Sequence, residues 1–149
     1  MYKICLIYEM ATRKVGFMKM STRSRYGLRM LLDLARYPRD QFIPLRVIAS
    51  KLGLSKKYLE RIARTLESHD LITAVKGVKG GYQLKDDPTG IKISEVLSAL
   101  EGNLALSECL TTDCARQDDC LASRFWIKLG QNISSYLDRQ TLADLMKEA

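Results

Sequence analysis

The sequence predicts a mainly α-helical fold with one small β-hairpin (α+β), and three patterns lead to this expectation. Two short amphipathic helical patterns meet at Gly53, and glycine has the backbone freedom that a tight turn between helices needs. Two β-prone segments, Ile72–Val75 and Tyr82–Leu84, flank the glycine-rich residues 76–81, which is typical of a β-hairpin. A longer amphipathic pattern starts at Leu121. The chain therefore combines a helix–turn–helix–hairpin unit with a long C-terminal helix.

Length and charge indicate a nucleic-acid-binding module followed by a module of another kind. The 149 residues suffice for one domain, or one domain with an appendage, with a real core. The net charge is +7, but residues 18–85 hold 15 Lys/Arg and 5 Asp/Glu, or +10, whereas residues 86–149 hold 6 and 11, or −5. A basic front half and an acidic rear half indicate a DNA-binding module followed by a different one. Nonspecific binding of a basic protein would not require this asymmetry.

The N-terminal segment carries no recognisable targeting signal. Glu9 interrupts its mildly apolar start, and no apolar run in the chain approaches the roughly 20 residues of a membrane span. We expect residues 1–17 to be a disordered leader or a mis-assigned start, and the protein to be cytoplasmic. In a reducing cytoplasm the chain's four cysteines point to metal or redox chemistry rather than to a disulfide framework.

The first predicted helix starts at a Ser21 or Thr22 cap and runs to about Tyr37, where Pro38 breaks it. The next pair of helices forms the predicted helix-turn-helix. Ser55 is a good N-cap for its second helix, because its hydroxyl can accept an otherwise unpaired amide hydrogen. In that helix an apolar stripe recurs at helical spacing and is predicted to be core. The stripe consists of Leu59, Ile62, Ala63 and Leu66.

The opposite face of that helix is predominantly basic. On an isolated helix such a face would be read as merely solvated, but here a lysine-bearing, glycine-rich hairpin follows. A basic helix can enter the DNA major groove, and hairpin lysines can reach phosphates or a narrow minor groove. Residues 18–90 are therefore predicted to form a winged helix-turn-helix. The candidate DNA-binding residues are Ser55, Lys56, Lys57, Glu60, Arg61, Arg64, Lys76 and Lys79.

Residues 91–106 are predicted to form a connecting helix that Ser94 caps and Gly102 ends. Residues 107–120 are a polar cysteine loop, and residues 121–149 contain a dimerisation helix and a final short helix. A capping box of Thr141 and Asp144 is expected to start that final helix.

The helix from Leu121 carries an apolar stripe too large for a chain of this size to cover without another helix. The stripe consists of Phe125, Trp126, Leu129, Ile133, Tyr136 and Leu137. A second copy of the chain would cover it in a two-fold dimer, and packing onto its own chain is the alternative.

Cys109, Cys114 and Cys120 are spaced C-x4-C-x5-C in the polar loop. Thiolates are soft ligands, and three on one loop can converge on a metal centre. The spacing is neither the C-x2-C of zinc ribbons nor the run of bacterial ferredoxins. An iron–sulfur cluster with one non-cysteine ligand, a thiol–disulfide switch and inert thiols remain as alternatives.

Four blocks, in order, resemble the bacterial winged-helix repressors that include IscR, NsrR and CymR. They are MKMSTRSRYGLRMLLDLA, LSKKYLERIARTLESHDLI, VKGVKGGYQL and the three-cysteine loop. The resemblance implies a homodimer on a palindromic operator. It also implies that Lys57, Glu60 and Arg61 face base edges and that Lys76 enters the minor groove.

The same resemblance implies that Cys109, Cys114 and Cys120 hold a 2Fe–2S or 4Fe–4S cluster. The chain departs from the family in the fourth ligand. Ser123 stands where IscR-like members have a histidine, and Arg25 stands where NsrR-like members have an acidic residue of the partner subunit. The cluster type therefore stays open at this point.

We therefore predict a dimeric, cytoplasmic transcriptional regulator of the repressor type that senses iron–sulfur, redox or nitric oxide status, and not an enzyme. One alternative is a cluster-free winged-helix repressor that responds to thiol oxidation or to a partner protein. A small redox or metal-carrier enzyme is a more distant one, because a single histidine and the lack of a catalytic arrangement leave little acid–base equipment.

Overall fold

The computed structural model describes residues 20–107, 111, 115–116 and 119–148. Within these residues the chain forms six helices and one two-stranded antiparallel sheet, and this confirms the predicted mainly helical fold with a β-hairpin. No helix in this part of the chain combines the length and the apolar character that crossing a membrane requires. The elements are α1 Thr22–Leu34, α2 Leu45–Leu52, α3 Lys56–Ser68, β1 Ile72–Val75, β2 Gly81–Leu84, α4 Ile93–Glu101, α5 Leu121–Arg139 and α6 Leu142–Lys147.

The turn between α2 and α3 has the predicted construction. Gly53 ends α2 in the left-handed region, with φ of 65°, which glycine adopts without the steric cost of a side chain. Ser55 caps α3, since its Oγ accepts a hydrogen bond from the backbone N–H of Tyr58 at 3.2 Å. Local chemistry thus sets where α3 begins.

The apolar stripe of α3 lies at the centre of the core. Leu59, Ile62, Ala63 and Leu66 are each at most 1% exposed, and α3 packs against α1, α2 and α4. Full burial of one such aliphatic side chain stabilises a fold by about 1.5–3 kcal/mol. The orientation of α3 is therefore strongly determined, and its opposite face is directed outward.

The hairpin is attached to the helix-turn-helix by a third backbone pairing. Strands β1 and β2 pair in register from Ile72 with Leu84 to Val75 with Gly81. Ile43, just before α2, forms an antiparallel bridge with Tyr82, and each backbone N–H donates to the other's carbonyl oxygen at 2.9 Å. The return strand begins at Gly81, one residue before the prediction, because Gly81 pairs with Val75 of β1.

Two predicted helix boundaries were wrong. Helix α1 ends at Leu34 rather than near Tyr37, because the amides of Arg36 and Tyr37 donate to carbonyls three residues earlier and tighten the chain into a turn. Ser94 does not cap α4, which starts at Ile93 with Lys92 at the cap position.

The C-terminal end of the chain explains the early start of α4. The N–H of Ile93 donates to the Gln140 carbonyl oxygen at 2.9 Å, and Lys92 forms a bridge with Thr141. The predicted capping box of Thr141 and Asp144 is present. Leu142 is fully buried in the core, and α6 packs against α1.

The end of α4 is tied to the start of α1 through Glu101. One carboxylate oxygen, Oε1, accepts a hydrogen bond from the backbone N–H of Ser21 at 2.7 Å. Hydrogen bonding from the Ser24 side chain, followed by bonds from Ser21, lowers the pKa of Glu101 below its ordinary value. The ionised carboxylate is therefore the form that holds the two helices together.

We expect Glu101→Gln to destabilise the protein at neutral pH, because the amide replaces a charged acceptor. A carboxylate whose pKa is lowered on folding stabilises the fold above its unfolded pKa and loses that effect as the pH falls through its folded pKa. The difference in unfolding free energy between wild type and variant should therefore shrink below about pH 4.5. Urea denaturation from pH 7 to about pH 3.5 measures it. A difference that does not change with pH would contradict the role of the ionised form.

We expect Gly81→Ala to destabilise the protein by about 1–3 kcal/mol, as other overpacking changes do. A Cβ at Gly81 would lie 2.4 Å from the backbone carbonyl carbon and oxygen of Ile43, and backbone atoms in a bridge cannot move aside cheaply. Gly90→Ala is the matched control, since its Cβ would come no closer than 3.4 Å to the nearest atom, the Asp87 carbonyl oxygen. Equal stability of the two variants in urea denaturation would contradict the close approach.

Candidate functional site

A cleft lies between the outer face of α3 and the hairpin. Three parts of the fold line it: the start of α2, one side of α3 and the hairpin. Four of the predicted DNA-binding side chains meet there, namely Lys56, Glu60, Arg64 and Lys76. The cleft is therefore the place where the helix and the wing present charged groups together.

The other predicted DNA-binding residues lie on the surface outside the lining of this cleft. Lys57 and Arg61 are exposed one turn apart on α3, and Lys79 is exposed near the hairpin tip. Ser55 is also exposed, but its Oγ is engaged as the acceptor of the α3 cap. The structure thus divides the predicted set between a cleft and a more open helix face.

Glu60 and Arg64 form an ion pair on α3. An Arg64 Nη2 nitrogen donates to Glu60 Oε1 at 2.7 Å across one helical turn. The side chains are 40% and 72% exposed, respectively, so solvent and salt weaken the attraction between them. The pair nevertheless fixes where the Glu60 carboxylate is directed on the mostly basic face of α3, and a second acid, Glu67, lines the same cleft.

Three residues near the cleft were not assigned to the candidate site from the sequence. Arg46 in the first turn of α2 and Tyr82 of β2 both line the cleft, and Val78 at the hairpin tip is fully exposed. The alternation of the return strand would have assigned Tyr82 to one face but could not indicate α3 as its neighbour. Burial, and then the charges of Glu67 and Glu60, raises the pKa of the Tyr82 phenol, so this hydroxyl remains a neutral donor at physiological pH.

Much of the predicted apolar stripe of α5 is exposed. Phe125 and Tyr136 are 58% and 56% exposed, and Trp126 is 37% exposed, whereas Leu129, Ile133 and Leu137 are half-buried. Phe125 and Trp126 contact each other edge to face, with ring centroids 5.0 Å apart. Leu121, 79% exposed, was missed and extends the exposed apolar surface to the first turn of α5.

Only one of the three loop cysteines lies among the described residues. Cys109 and Cys114 lie outside them, as do residues 1–17 with Cys5. Cys120 is half-buried, has a free thiol and occupies the N-cap position of α5. Among the residues that the structure does describe, no three His, Cys, Asp or Glu side chains converge as a metal site would require.

Ser123 and Arg25 stand where the family resemblance places a fourth cluster ligand, and each makes a local hydrogen bond instead. Ser123 is 2% exposed, and its Oγ donates to the Cys120 carbonyl oxygen at 2.8 Å. Arg25 is exposed and donates from Nη2 to Thr22 Oγ1 at 3.3 Å. Ser123 therefore stabilises the first turn of α5 and holds the backbone of Cys120.

Comparison with known proteins agrees with this arrangement. Residues 20–148 match the family described as Rrf2, iron-dependent transcriptional regulator. The chain belongs to the Rrf2 family. It is 40% identical over 134 residues to protein rrf2 of Nitratidesulfovibrio vulgaris, a match that covers 89% of each chain.

Two solved structures are similar in fold as well as in sequence to this Rrf2-family chain. The IscR of T. potens matches with a TM-score of 0.71 and 33% identity over 89% of this chain and 88% of that one. CymR, the global cysteine regulator of B. subtilis, matches with a TM-score of 0.72 and 30% identity over 89% of this chain and 99% of that one. These matches confirm the winged-helix fold and the family resemblance.

Membership in the Rrf2 family makes the protein a DNA-binding transcriptional regulator. The family consists of regulators and not of enzymes, so the prediction of a non-enzymatic protein is confirmed. The cleft between α3 and the hairpin is lined by lysines and arginines together with two acids, Glu60 and Glu67.

Proposed function

We propose that this Rrf2-family regulator is a cytoplasmic homodimeric repressor that binds a palindromic operator and senses redox, iron or nitric oxide status through an iron–sulfur cluster on Cys109, Cys114 and Cys120. The observation that carries the proposal is the position of Cys120. This residue directly precedes α5, the helix whose apolar face is exposed. A sensing residue and the proposed dimer contact are therefore separated by a single peptide bond.

The DNA-binding part of the proposal assigns separate roles to the charged and polar residues of α3 and the hairpin. Lys57, Glu60 and Arg61 contact base edges in the major groove, and Lys76 enters the minor groove. Lys56, Arg64, Ser55 and Lys79 contact the same duplex, and Lys79 reaches the phosphate backbone. The support is the exposed face of α3 and the lysine-bearing hairpin beside it, which match the two grooves in charge and width.

The dimer part of the proposal rests on the exposed apolar surface of α5. Aromatic side chains such as Phe125 and Tyr136 are more than half exposed, and each square ångström of apolar surface buried contributes about 25 cal/mol. A two-fold axis along α5 would bury the same stripe from both subunits at once. It would also present two α3 helices to the two halves of a palindrome.

The cysteine part of the proposal rests on donor chemistry. Three thiols in one segment are the donor set typical of iron–sulfur centres, and one of them, Cys120, occupies the N-cap position of α5. When bound, such a cluster supplies a centre that reacts with oxidants and nitric oxide. Ser123 holds the Cys120 carbonyl at 2.8 Å, so any displacement of Cys120 is passed to the first turn of α5.

We expect the protein purified without oxygen to be coloured and to contain iron and sulfide, and Cys120→Ala or Cys114→Ala to lose both the visible absorption and the iron. Visible spectroscopy with iron and sulfide assays on one sample tests this. Cys5→Ala is the matched control, because Cys5 lies outside the cysteine segment, and this variant should remain coloured. A wild-type protein that stays colourless after anaerobic reconstitution would contradict the cluster and favour the cluster-free regulator that responds to thiol oxidation or to a partner protein.

We expect Arg61→Ala and Lys79→Ala to affect DNA binding in different ways. Loss of a base contact should weaken binding to a selected operator about tenfold or more while changing binding to random DNA far less. Loss of a phosphate contact should weaken both and reduce the slope of log affinity against log salt by about one. Titrations of labelled duplexes at several salt concentrations measure both effects. Equal losses of Arg61→Ala on both DNAs, or an unchanged slope for Lys79→Ala, would refute the respective role.

A further inference from the structure

We propose that Arg64 is a positioning and specificity residue, which holds the Glu60 carboxylate so that the two side chains together read one C·G base pair. The inference rests on the proposed role of α3 as the base-reading helix. It adds a function for an arginine whose place on a basic face would otherwise indicate only attraction to phosphate.

The ion pair is the first observation behind this inference. Arg64 Nη2 donates to Glu60 Oε1 at 2.7 Å. The glutamate precedes the arginine by one turn of α3, which is the more favourable order for an ion pair on a helix. The pair uses one carboxylate oxygen, and a guanidinium carries five N–H donors in a rigid plane. Both groups therefore retain hydrogen-bonding capacity beyond their mutual contact.

The location of the pair is the second observation. Glu60 and Arg64 both line the cleft between α3 and the hairpin, together with Lys56 and Lys76. The charges of both members act on the Tyr82 phenol of the hairpin, so the pair is directed toward the wing. It therefore lies inside the surface that approaches DNA, rather than on its outer margin.

An isolated carboxylate is poorly suited to that surface. Phosphates repel it, and a flexible glutamate must also lose rotamer freedom when it contacts a base. Arg64 reduces both costs, since it neutralises the charge of Glu60 and restricts the carboxylate before DNA arrives. Such restriction before binding is a general route to tighter and more selective recognition.

The chemistry of one base pair matches the two side chains. In the major groove cytosine presents its N4 amino group as a donor, and the paired guanine presents O6 and N7 as acceptors. Glu60 can accept from cytosine N4, and the remaining donors of Arg64 can be directed to guanine O6 and N7. A T·A pair presents a methyl group and an acceptor in place of the cytosine donor, which the carboxylate would meet unfavourably.

The test is the base preference of variants. Wild-type protein selects its site from a randomised double-stranded DNA library, and affinities are then measured for the selected duplex and for duplexes with single C·G pairs replaced by T·A. The variants are Glu60→Ala, Arg64→Ala, Arg64→Lys and the double Glu60→Ala/Arg64→Ala. Arg36→Ala is the matched control, because Arg36 is exposed and outside the cleft lining.

We expect Glu60→Ala and Arg64→Ala each to reduce discrimination at the same C·G pair by about tenfold. The double variant should lose little more than either single variant, because the two residues act as one unit. Arg64→Lys should recover affinity for random DNA but only part of the discrimination, since an ammonium lacks the planar fork of a guanidinium. Arg36→Ala should keep the wild-type preference.

Other outcomes would overturn the inference in distinguishable ways. If Arg64→Ala lowers affinity for every duplex by one factor, Arg64 contacts phosphate only. If it changes nothing, the ion pair belongs to the solvated surface. If Glu60→Ala also leaves the preference intact, the proposed base-reading role of Glu60 fails together with the inference. A changed preference in Glu60→Ala alone would refute only the role of Arg64.

Discussion

The burial of one apolar stripe of α3 is the constraint on which the rest of this structure depends. Leu59, Ile62, Ala63 and Leu66 are almost completely removed from solvent, and three other helices pack around them. Because the apolar stripe must face the core, the charged residues on the opposite side of α3 are directed outward together. The same packing that stabilises the fold therefore presents the surface that is proposed to contact DNA.

Backbone pairing between distant segments gives that surface its second side. The bridge between Ile43 and Tyr82 attaches the hairpin to the start of α2, so the wing is held beside α3 rather than at the end of a free loop. A hydrogen bond contributes only modestly to the net stability of a fold. Losing one, however, leaves a buried amide without a partner, and this costs considerable free energy. The cleft between helix and wing is consequently a property of the folded chain and not of either element.

A similar pairing connects the DNA-binding unit with the long helix. The end of α5 returns to the core through the bridge between Lys92 and Thr141 and through the buried Leu142, while its first turn is joined to Cys120. Helix α5 is thus attached at one end to the packed core and at the other to the cysteine segment. In the proposed mechanism a structural change at the cysteines is therefore transmitted through α5 to the surface between the subunits. It thereby alters the spacing of the two α3 helices of the dimer.

The sequence by itself determined the features that depend on near neighbours in the chain. The period of the apolar residues predicted α3, the hydroxyl of Ser55 its start, Gly53 the turn before it, and Thr141 with Asp144 the start of α6. These features follow from local geometry and from hydrogen bonds between residues a few positions apart. Only the tertiary structure decided that α4 begins before Ser94, because the amide of Ile93 meets a carbonyl from the far end of α5. It also decided that Arg46 and Tyr82 share a cleft with Glu60 and Arg64, since periodicity assigns a residue to a face but the packing of that face determines what lies opposite.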